Sequence, residues 1–308
     1  MRPLTSPSGE PTKAVFVFTN ILNGLLERHK PDMLVVAMDS KAPSFRTDMY
    51  ADYKAHRPPM PEDLPGQIDR IEQILAAMNI PMLRVDGWEA DDVIGTLCRQ
   101  AAEKGIDALI CSRDKDMLQL LGEHVVAYDV KKDVVTDTAA LHEKMGLNPR
   151  QIIDVMALQG DTADNIPGVP DVGPKTAADW IKQYGSLDNL YAHADQIKGK
   201  RGKQLRAHKE QAYLSRDLVI IHCDAPVELD ESTFAVGDPD RDKLAAVYRE
   251  LGFSKLLTSL QGQGGNPAGT NSPQAPSVSG GLFAEPGVQP PAAPGAGGDY
   301  TLVDTPEN

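Results

Sequence analysis

Two acidic groups stand close together in this chain, and their residue types suit metal-assisted hydrolysis. Glu89, Asp91 and Asp92 open a segment in which Val93, Ile94, Leu97 and Ala101 recur at helical spacing, so they fall in a helix's first turn. Asp114 and Asp116 follow the apolar run Ala108 to Cys111, which predicts a buried strand. Asp39 closes a second apolar run, Met33 to Met38, and Asp161 and Asp164 stand just before a glycine-bounded turn. In open α/β sheets, sites form beyond the carboxyl ends of parallel strands, where all four groups can meet. An all-oxygen donor set with no soft ligand selects Mg2+ or Mn2+. These carboxylates repel one another too strongly to converge without cations. Two cations about 4 Å apart would activate a water and stabilise the leaving oxygen of a phosphodiester. Acids in a helix's first turn are favoured by the macrodipole alone, so the signal lies in the four groups together.

Residues 40–61 interleave bases with aromatic rings: Phe45, Arg46, Tyr50, Tyr53, Lys54, His56 and Arg57, broken up by Pro43, Pro58, Pro59 and Pro61. A solvated loop would have this composition. So would a mobile cover that brings cations and stacking rings over a phosphate backbone. On the second reading Arg46 and Tyr53 touch nucleic acid, and Lys54 or Arg57 adds charge at the scissile phosphate, a catalytic role. Further on, Gly168 and Gly173 bracket a turn that enters a helix through Lys175 and Thr176. Backbone amides at such a turn suit phosphate without reading base sequence, although a plain helix–turn–helix would look the same. Lys198, Lys200, Arg201, Lys203, Arg206 and Lys209 form a run free of acids, a further candidate surface for a phosphate backbone.

The elements that must carry these groups alternate. A loop over 1–10 leads into a helix from Pro11 to about Lys30, and then into the strand that Asp39 closes. A helix over 62–79, a short strand over 81–85 and an Asp86-Gly87 turn precede the acidic helix. After Asp116 come a helical turn over 117–121, a strand over 125–130 and a helix over 139–145. This alternation predicts a parallel sheet flanked by helices across residues 1–150. From Pro149 the chain turns helical, with helices over 151–158, from the glycine turn to Tyr184, over 204–222 and over 241–251, and a weaker one at 255–260. Residues 261–298 are Gly, Pro, Ser, Ala and Gln with almost no charge, the composition of a disordered, flexible linker. Residues 299–306 then read as the start of a strand.

Composition is that of a globular chain, 41% hydrophobic and 24% charged, long enough for one large or two modest domains. Its three cysteines have no metal-binding spacing and are expected to be buried thiols in a reducing compartment. No apolar run approaches the length of a membrane span, and the first residues lack a signal-peptide pattern. The net charge of −13 argues naively against nucleic acid, yet the candidate metal ligands supply much of it and the bases are clustered.

Five stretches carry a resemblance: Asp39 to Arg46, Tyr53 to Arg57, Gly87 to Asp92, Arg113 to Asp116, and Gly160 to Gly168. They resemble motifs of the 5′-nuclease domain of bacterial DNA polymerase I, in the flap-endonuclease superfamily, and the likeness runs over residues 4–260. It implies an α/β, PIN/flap-endonuclease-like parallel sheet flanked by helices over 1–150, and over 151–260 a helical DNA-binding subdomain with a helix-hairpin-helix. The implied activity is that of a metal-dependent 5′-3′ exonuclease and 5′-flap endonuclease in replication and repair. By this resemblance Asp39, Glu89 and Asp91 hold one cation, with Asp92 adjacent. Asp114, Asp116 and Asp164 hold the second, with Asp161 nearby. Lys54 and Arg57 match an arch at the scissile phosphate, and Gly168 to Thr176 match a hairpin that grips duplex around K+. Implied partners are DNA with 5′ flaps, nicks or gaps, RNA–DNA primers, and a polymerase domain in cis. The setting implied is a monomer in the bacterial cytoplasm, associated with the nucleoid and with no membrane.

The resemblance fails at one end. The family begins with a strand ending in Val-Asp-Gly, whose Asp ligates the first metal, whereas Met1 already stands in the loop that follows. The expectation is therefore a sheet without that central strand, its apolar neighbours exposed on both sides, in an internal piece, or a reading frame with a mis-called start and stop, of a longer polymerase I-type protein. Residues Asp299 to Pro306 are similar to the opening strand of a following, proofreading-exonuclease-like domain. A DNA-binding fragment with impaired catalysis is the alternative function. An RNA-cleaving domain of PIN type is a third, although such domains typically lack the glycine hairpin and basic helices after residue 160.

Overall fold

A computed structural model describes residues 4–262 and, as backbone, 302–304. α1 (Lys13–His29) buries Val15, Phe18, Leu22 and Leu25 along one stripe, the expected helical spacing. It ends at Lys30, whose left-handed backbone (φ 45°) lets its N–H reach Leu26 O. There follow β1 (Val35–Ala37), α2 (Phe45–Met49), α3 (Leu64–Ala77), β2 (Met82–Leu83), α4 (Ala90–Glu103) and β3 (Ala108–Cys111). A 3₁₀ turn over Lys115–Leu120 leads to β4 (Val125–Asp129) and β5 (Val134–Thr136). The last strand, β6 (Leu302–Asp304), completes a six-stranded sheet of order β2-β1-β6-β3-β4-β5.

All pairings are parallel except β4 with β5. β1 and β3 are buried at every position, which is why they read as unbroken apolar runs. Two cores cover the sheet. One joins Leu22, Leu34, Ile74 and Leu109, and the other joins Val35, Ile94, Leu97 and Ile110. β5 was not expected. Its Val134 and Val135 are both exposed, so no alternation marks it, and it joins as an antiparallel edge.

The second half is helical: α5 (Thr138–Met145), α6 (Pro149–Gln159), α7 (Pro174–Tyr184), α8 (Leu187–Ala192), α9 (Gly199–Ala207) and α10 (Lys209–Val219). α6 lies at its centre, touching α7, α10 and the 3₁₀ turn that carries Asp116. The single helix expected over 204–222 is two, because the backbone at His208 leaves helical geometry (φ −116°, ψ 33°). α11 (Glu231–Phe234), α12 (Arg241–Leu251) and α13 (Ser254–Gly262) follow. They do not stay with the helical part. Ile221 and Phe234 pack into the core beneath α4, and Leu244, Tyr248 and Leu251 into the core with α1 and α3. The apolar residues after 220 thus return to cover the sheet, and the unit expected to run from 151 to 260 is interleaved with the first.

Another expectation is corrected at the centre of the sheet. β1 and β3 are not left exposed, because β6 lies between them, with Ala37 opposite Asp304 and Cys111 opposite Val303. Of the segment read as opening a following domain, residues 302–304 pair into this sheet, and the rest lies outside the described residues. The expected linker falls, from residue 263, outside the described residues. Cys98 and Cys111 are buried free thiols as expected, and Cys223 is half-buried. No helix among the described residues is long and apolar enough to cross a membrane.

Candidate metal centre and nucleic-acid interface

The first acidic group forms where β1 ends and α4 begins. Asp39, two residues beyond β1, accepts the Ala90 N–H at 2.8 Å and so joins the strand's end to the helix's first turn. Glu89 precedes that turn with extended backbone. Its Oε1 accepts from Ser44 Oγ at 2.9 Å and lies 3.1 Å from Lys54 Nζ, while Oε2 accepts from the Tyr53 hydroxyl at 3.0 Å. Asp91 sits half-buried beside them in the first turn.

The second group forms around the 3₁₀ turn. Asp114 Oδ1 caps it by accepting the Asp116 N–H at 2.9 Å. Asp116 is half-buried, and its Oδ1 is buried with no hydrogen-bond partner among the described residues. Burial and then the charge of Asp114 push its carboxyl up to about 8, with Asp161 and Asp164 adding to the rise and Lys115 opposing it. Asp161 accepts the Ala163 N–H at 2.7 Å and faces Lys115 Nζ at 3.6 Å. Asp164 Oδ1 receives Arg57 through Nε at 3.0 Å and Nη2 at 2.6 Å.

A basic strap connects the two groups. Lys54 lies against Glu89 and Arg57 against Asp164, and the Lys54 N–H donates to Asp164 O at 2.9 Å. Burial works against the Lys54 charge, but Glu89, Asp39 and Asp164 outweigh it and hold the ammonium's pKa above its ordinary value. One lysine therefore feels acids from both groups. Both residues proposed to act at a phosphate stand at the acidic edge.

Four expected site residues have other work. Asp92 is fully buried. Its oxygens accept Arg46 Nη1 at 2.7 Å and Nη2 at 2.8 Å, together with the N–H groups of His222 at 2.9 Å and Glu89 at 3.2 Å. That carboxylate is spent on protein donors and anchors the fold instead of binding a cation. Arg46 is correspondingly inside the protein, donating also to Leu218 O and Ile220 O, and does not face DNA. Tyr53 is buried with its hydroxyl on Glu89, so it offers no ring for stacking. Gly168 donates its N–H to Ser215 Oγ at 3.0 Å and packs directly on Gly160, which leaves no amide there for phosphate. Sequence reasoning passed over Ser44 and Ser215, hydroxyls that carry no local signal. Lys115 had one, since it stands between Asp114 and Asp116.

Among the described residues, no three acids stand close enough to hold an ion as they are arranged. The donor chemistry of the second group nevertheless fits a hard divalent cation: all oxygen, with one buried carboxylate oxygen unpartnered among the described residues and its pKa raised to about 8 by burial and the neighbouring acids. Asp114, Asp116, Asp161 and Asp164 would hold it. At Glu89 the positive charge already comes from Lys54, so a cation there requires Lys54 to withdraw.

The expected phosphate contacts after residue 170 lie on the helical part. Gly173 precedes α7 in extended conformation, exposed, followed by exposed Lys175 and half-buried Thr176. Asp171, at the turn's tip, pairs with Lys200 Nζ at 2.9 Å, and its carbonyl accepts Arg201 Nε at 3.2 Å. The glycine turn and the bases at and in α9, including exposed Lys198 at its N-cap, Lys203 and Arg206, therefore form one continuous surface.

A parallel sheet with an acid-lined edge, crossed by a basic strap and followed by a helical unit, is the arrangement this chain presents. The family description "5'-3' exonuclease, N-terminal resolvase-like domain" matches residues 1–146, and "5'-3' exonuclease, C-terminal SAM fold" matches residues 147–242. The chain belongs to the 5′-3′ exonuclease family. It is 39% identical over 258 residues to a 5′-3′ exonuclease of Aquifex aeolicus, across 84% of this chain and 88% of that protein. It is 39% identical over 264 residues to DNA polymerase I of Bacillus caldotenax, across 84% of this chain but only 30% of that much longer protein. The fold is shared with the flap endonuclease of bacteriophage T5, solved as a complex with DNA and metal ions. That match has a TM-score of 0.56 and 20% identity over 82% of this chain and 93% of the other.

Proposed function

We propose that this chain cuts DNA phosphodiesters at 5′ ends and 5′ flaps with two Mg2+ or Mn2+ ions at the acidic edge. The observation that carries the reading is the strap, which sets Lys54 and Arg57 on acids of the two separate groups. When bound, the cations supply charge to activate water and to stabilise the leaving oxygen. The chain's own residues do the rest. Lys54 and Arg57, displaced from Glu89 and Asp164, become free to neutralise a phosphate entering between the groups. The Gly173–Thr176 turn and α9 hold the duplex by its backbone, without regard to sequence. A K+ ion at the glycine turn is part of this proposal. So are nicked or gapped duplex and RNA–DNA primers as substrates, a polymerase domain in cis, a monomeric state, and action at the bacterial nucleoid.

Cleavage of a 5′-labelled flap duplex in Mg2+ tests the reading. The chain should cut it, and Asp114→Ala with Asp116→Ala should abolish cutting while leaving DNA affinity within a few-fold. A second reading, DNA binding without catalysis, is favoured by the engagement of Glu89 and Asp164 by cations of the protein itself. Tight flap binding with no cutting in either Mg2+ or Mn2+ would select it.

A further inference from the structure

We infer that an open cleft beside the first acidic group binds an unpaired nucleobase, that of the first nucleotide of a 5′ flap; the choice of DNA rests on the function proposed above. The cleft holds about 360 Å3, inside the range of about 300–1,000 Å3 usual for ligand pockets. Phe45, Trp88 and His222 line it, together with Pro43, Gly87 and exposed Asp48. The three rings are half-buried and meet edge to face. Phe45 lies 5.4 Å from Trp88 and 4.9 Å from His222 between ring centres, at 63° and 78°.

These walls are held in place by the fold, because each ring adjoins a group bonded to the buried Arg46–Asp92 pair. Phe45 precedes Arg46, whose guanidinium backs the Phe45 ring at 4.7 Å, and the Phe45 N–H donates to Gly87 O at 3.1 Å. The His222 N–H donates to Asp92 at 2.9 Å. Trp88 precedes Glu89, whose N–H donates to Asp92 at 3.2 Å. Rings fixed in advance lose little freedom when a ligand stacks on them.

The chemistry of the walls selects the occupant. Any base has a face that stacks on an aromatic ring, whereas a phosphate would meet the like charge of Asp48. That carboxylate can instead accept an N–H from a base edge, as from the amino group of cytosine. Taking a base out of a duplex costs its pairing and stacking, so an unpaired base is favoured. Position narrows the choice further. Ser44, next to Phe45, donates to Glu89 Oε1 at 2.9 Å, and Trp88 is bonded to Glu89 in sequence, so the cleft borders the acidic edge. The base it takes therefore belongs to the unpaired nucleotide beside the scissile phosphate, at the flap junction.

Fluorescence anisotropy of flap duplexes with the full chain, in chelator so that none is cut, tests this. An abasic first flap nucleotide should weaken wild-type binding roughly 5- to 150-fold, the scale of one lost base–aromatic stack, and abasic positions farther out should cost less than about twofold. Trp88→Ala should lose as much on the intact flap and then ignore the abasic position. It should keep its affinity for duplex without a flap, which a misfolded variant would not. Trp88→Phe, which retains a ring, should restore the base dependence. Wild-type binding that ignores every abasic position would overturn the proposal, as would a Trp88→Ala chain as sensitive to the abasic nucleotide as wild type. Cleavage in Mg2+ separates the two readings. Base dependence without cutting would deny the nuclease and keep the cleft, and cutting without base dependence would do the reverse.

Discussion

Arg46 and Asp92 form a two-pronged ion pair, 2.7 and 2.8 Å long, with their side chains 3% and 0% exposed. Arg46 comes from the strap's leading helix and Asp92 from the acidic helix. The same guanidinium reaches Leu218 O and Ile220 O at the end of α10. One guanidinium therefore locks three distant segments behind the acidic edge. Replacing either partner leaves the other charge buried and uncompensated, so Arg46→Leu or Asp92→Leu should cost about 3–5 kcal/mol. The double replacement should cost well under the sum of the two. Urea unfolding of the three variants checks this, and simple additivity would show that the pair is not coupled.

Asp116 gives the metal-free protein a particular dependence on pH. Its carboxyl is raised by burial and by Asp114 to about 8 in the folded chain, against about 3.9 for an unperturbed aspartate. Between those values the folded state holds the extra proton, so this group's contribution to stability is full below about pH 4. It is lost as pH rises through about 8. Asp116→Asn should flatten the decline and exceed wild type in stability at pH 9 with chelator present. Saturating Mg2+ should raise the wild-type melting temperature at pH 9 and leave the variant nearly unmoved. Melts at pH 5, 7 and 9, with and without Mg2+, decide it. Parallel pH curves for the two proteins would sink the idea.

Lys54 should show two effects of opposite sign. It lies on Glu89 at 3.1 Å, and in the proposed reaction it meets the phosphate. Lys54→Ala should therefore lower flap cleavage by about 10²–10³-fold, the scale of losing one transition-state donor. The same change should leave Mn2+ affinity equal or tighter, because a competing positive charge has gone. Weaker Mn2+ binding in Lys54→Ala would mean that the lysine supports the acids instead of competing for them.

Burial on both faces made β1, β3 and the acids beyond them readable, since a strand covered on both sides shows as an unbroken apolar run. What stayed hidden depended on tertiary partners. Arg46 in a loop rich in bases and rings has the composition of a nucleic-acid contact; only the position of Asp92 and two carbonyls of α10 turn it inward. Tyr53 is hidden for the same reason, by Glu89. His208 interrupts a helix with neither Gly nor Pro to announce the break. For residues 302–304 the strand pattern was visible, but a local pattern does not say which sheet a strand joins. Its partners, Val36 and Cys111, lie far back in the chain.

The two bracketing glycines of the hairpin should respond differently to substitution. Gly168 adopts φ +58°, and a Cβ there would collide with the backbone of Gly160 and Gln159. Gly168→Ala should destabilise by about 1–3 kcal/mol or more, since left-handed strain and the clash act together. Gly173 faces open space with φ −91° at the helix N-cap. Gly173→Ser should stay within about 0.5 kcal/mol of wild type. Chemical denaturation of both variants is the check, and equal costs would deny Gly168 its packing role.

The exposed bases of α9 carry the last expectation, because they set how affinity depends on salt. Lys203 lies fully on the surface that Asp171, Lys200 and Arg201 share with the glycine turn. A lysine that meets only phosphate contributes affinity without sequence preference, through counterion release. Lys203→Ala should weaken flap binding by a similar factor for every base sequence tried, and should reduce the slope of log affinity against log salt by about 1. Lys198→Ala should behave alike, whereas Lys243→Ala, whose lysine pairs with Asp240 on a helix packed against α3, should leave the slope unchanged. Fluorescence anisotropy between about 50 and 200 mM salt separates these cases. An unchanged slope for both Lys203→Ala and Lys198→Ala would move the duplex off α9 and leave the glycine turn to hold it alone.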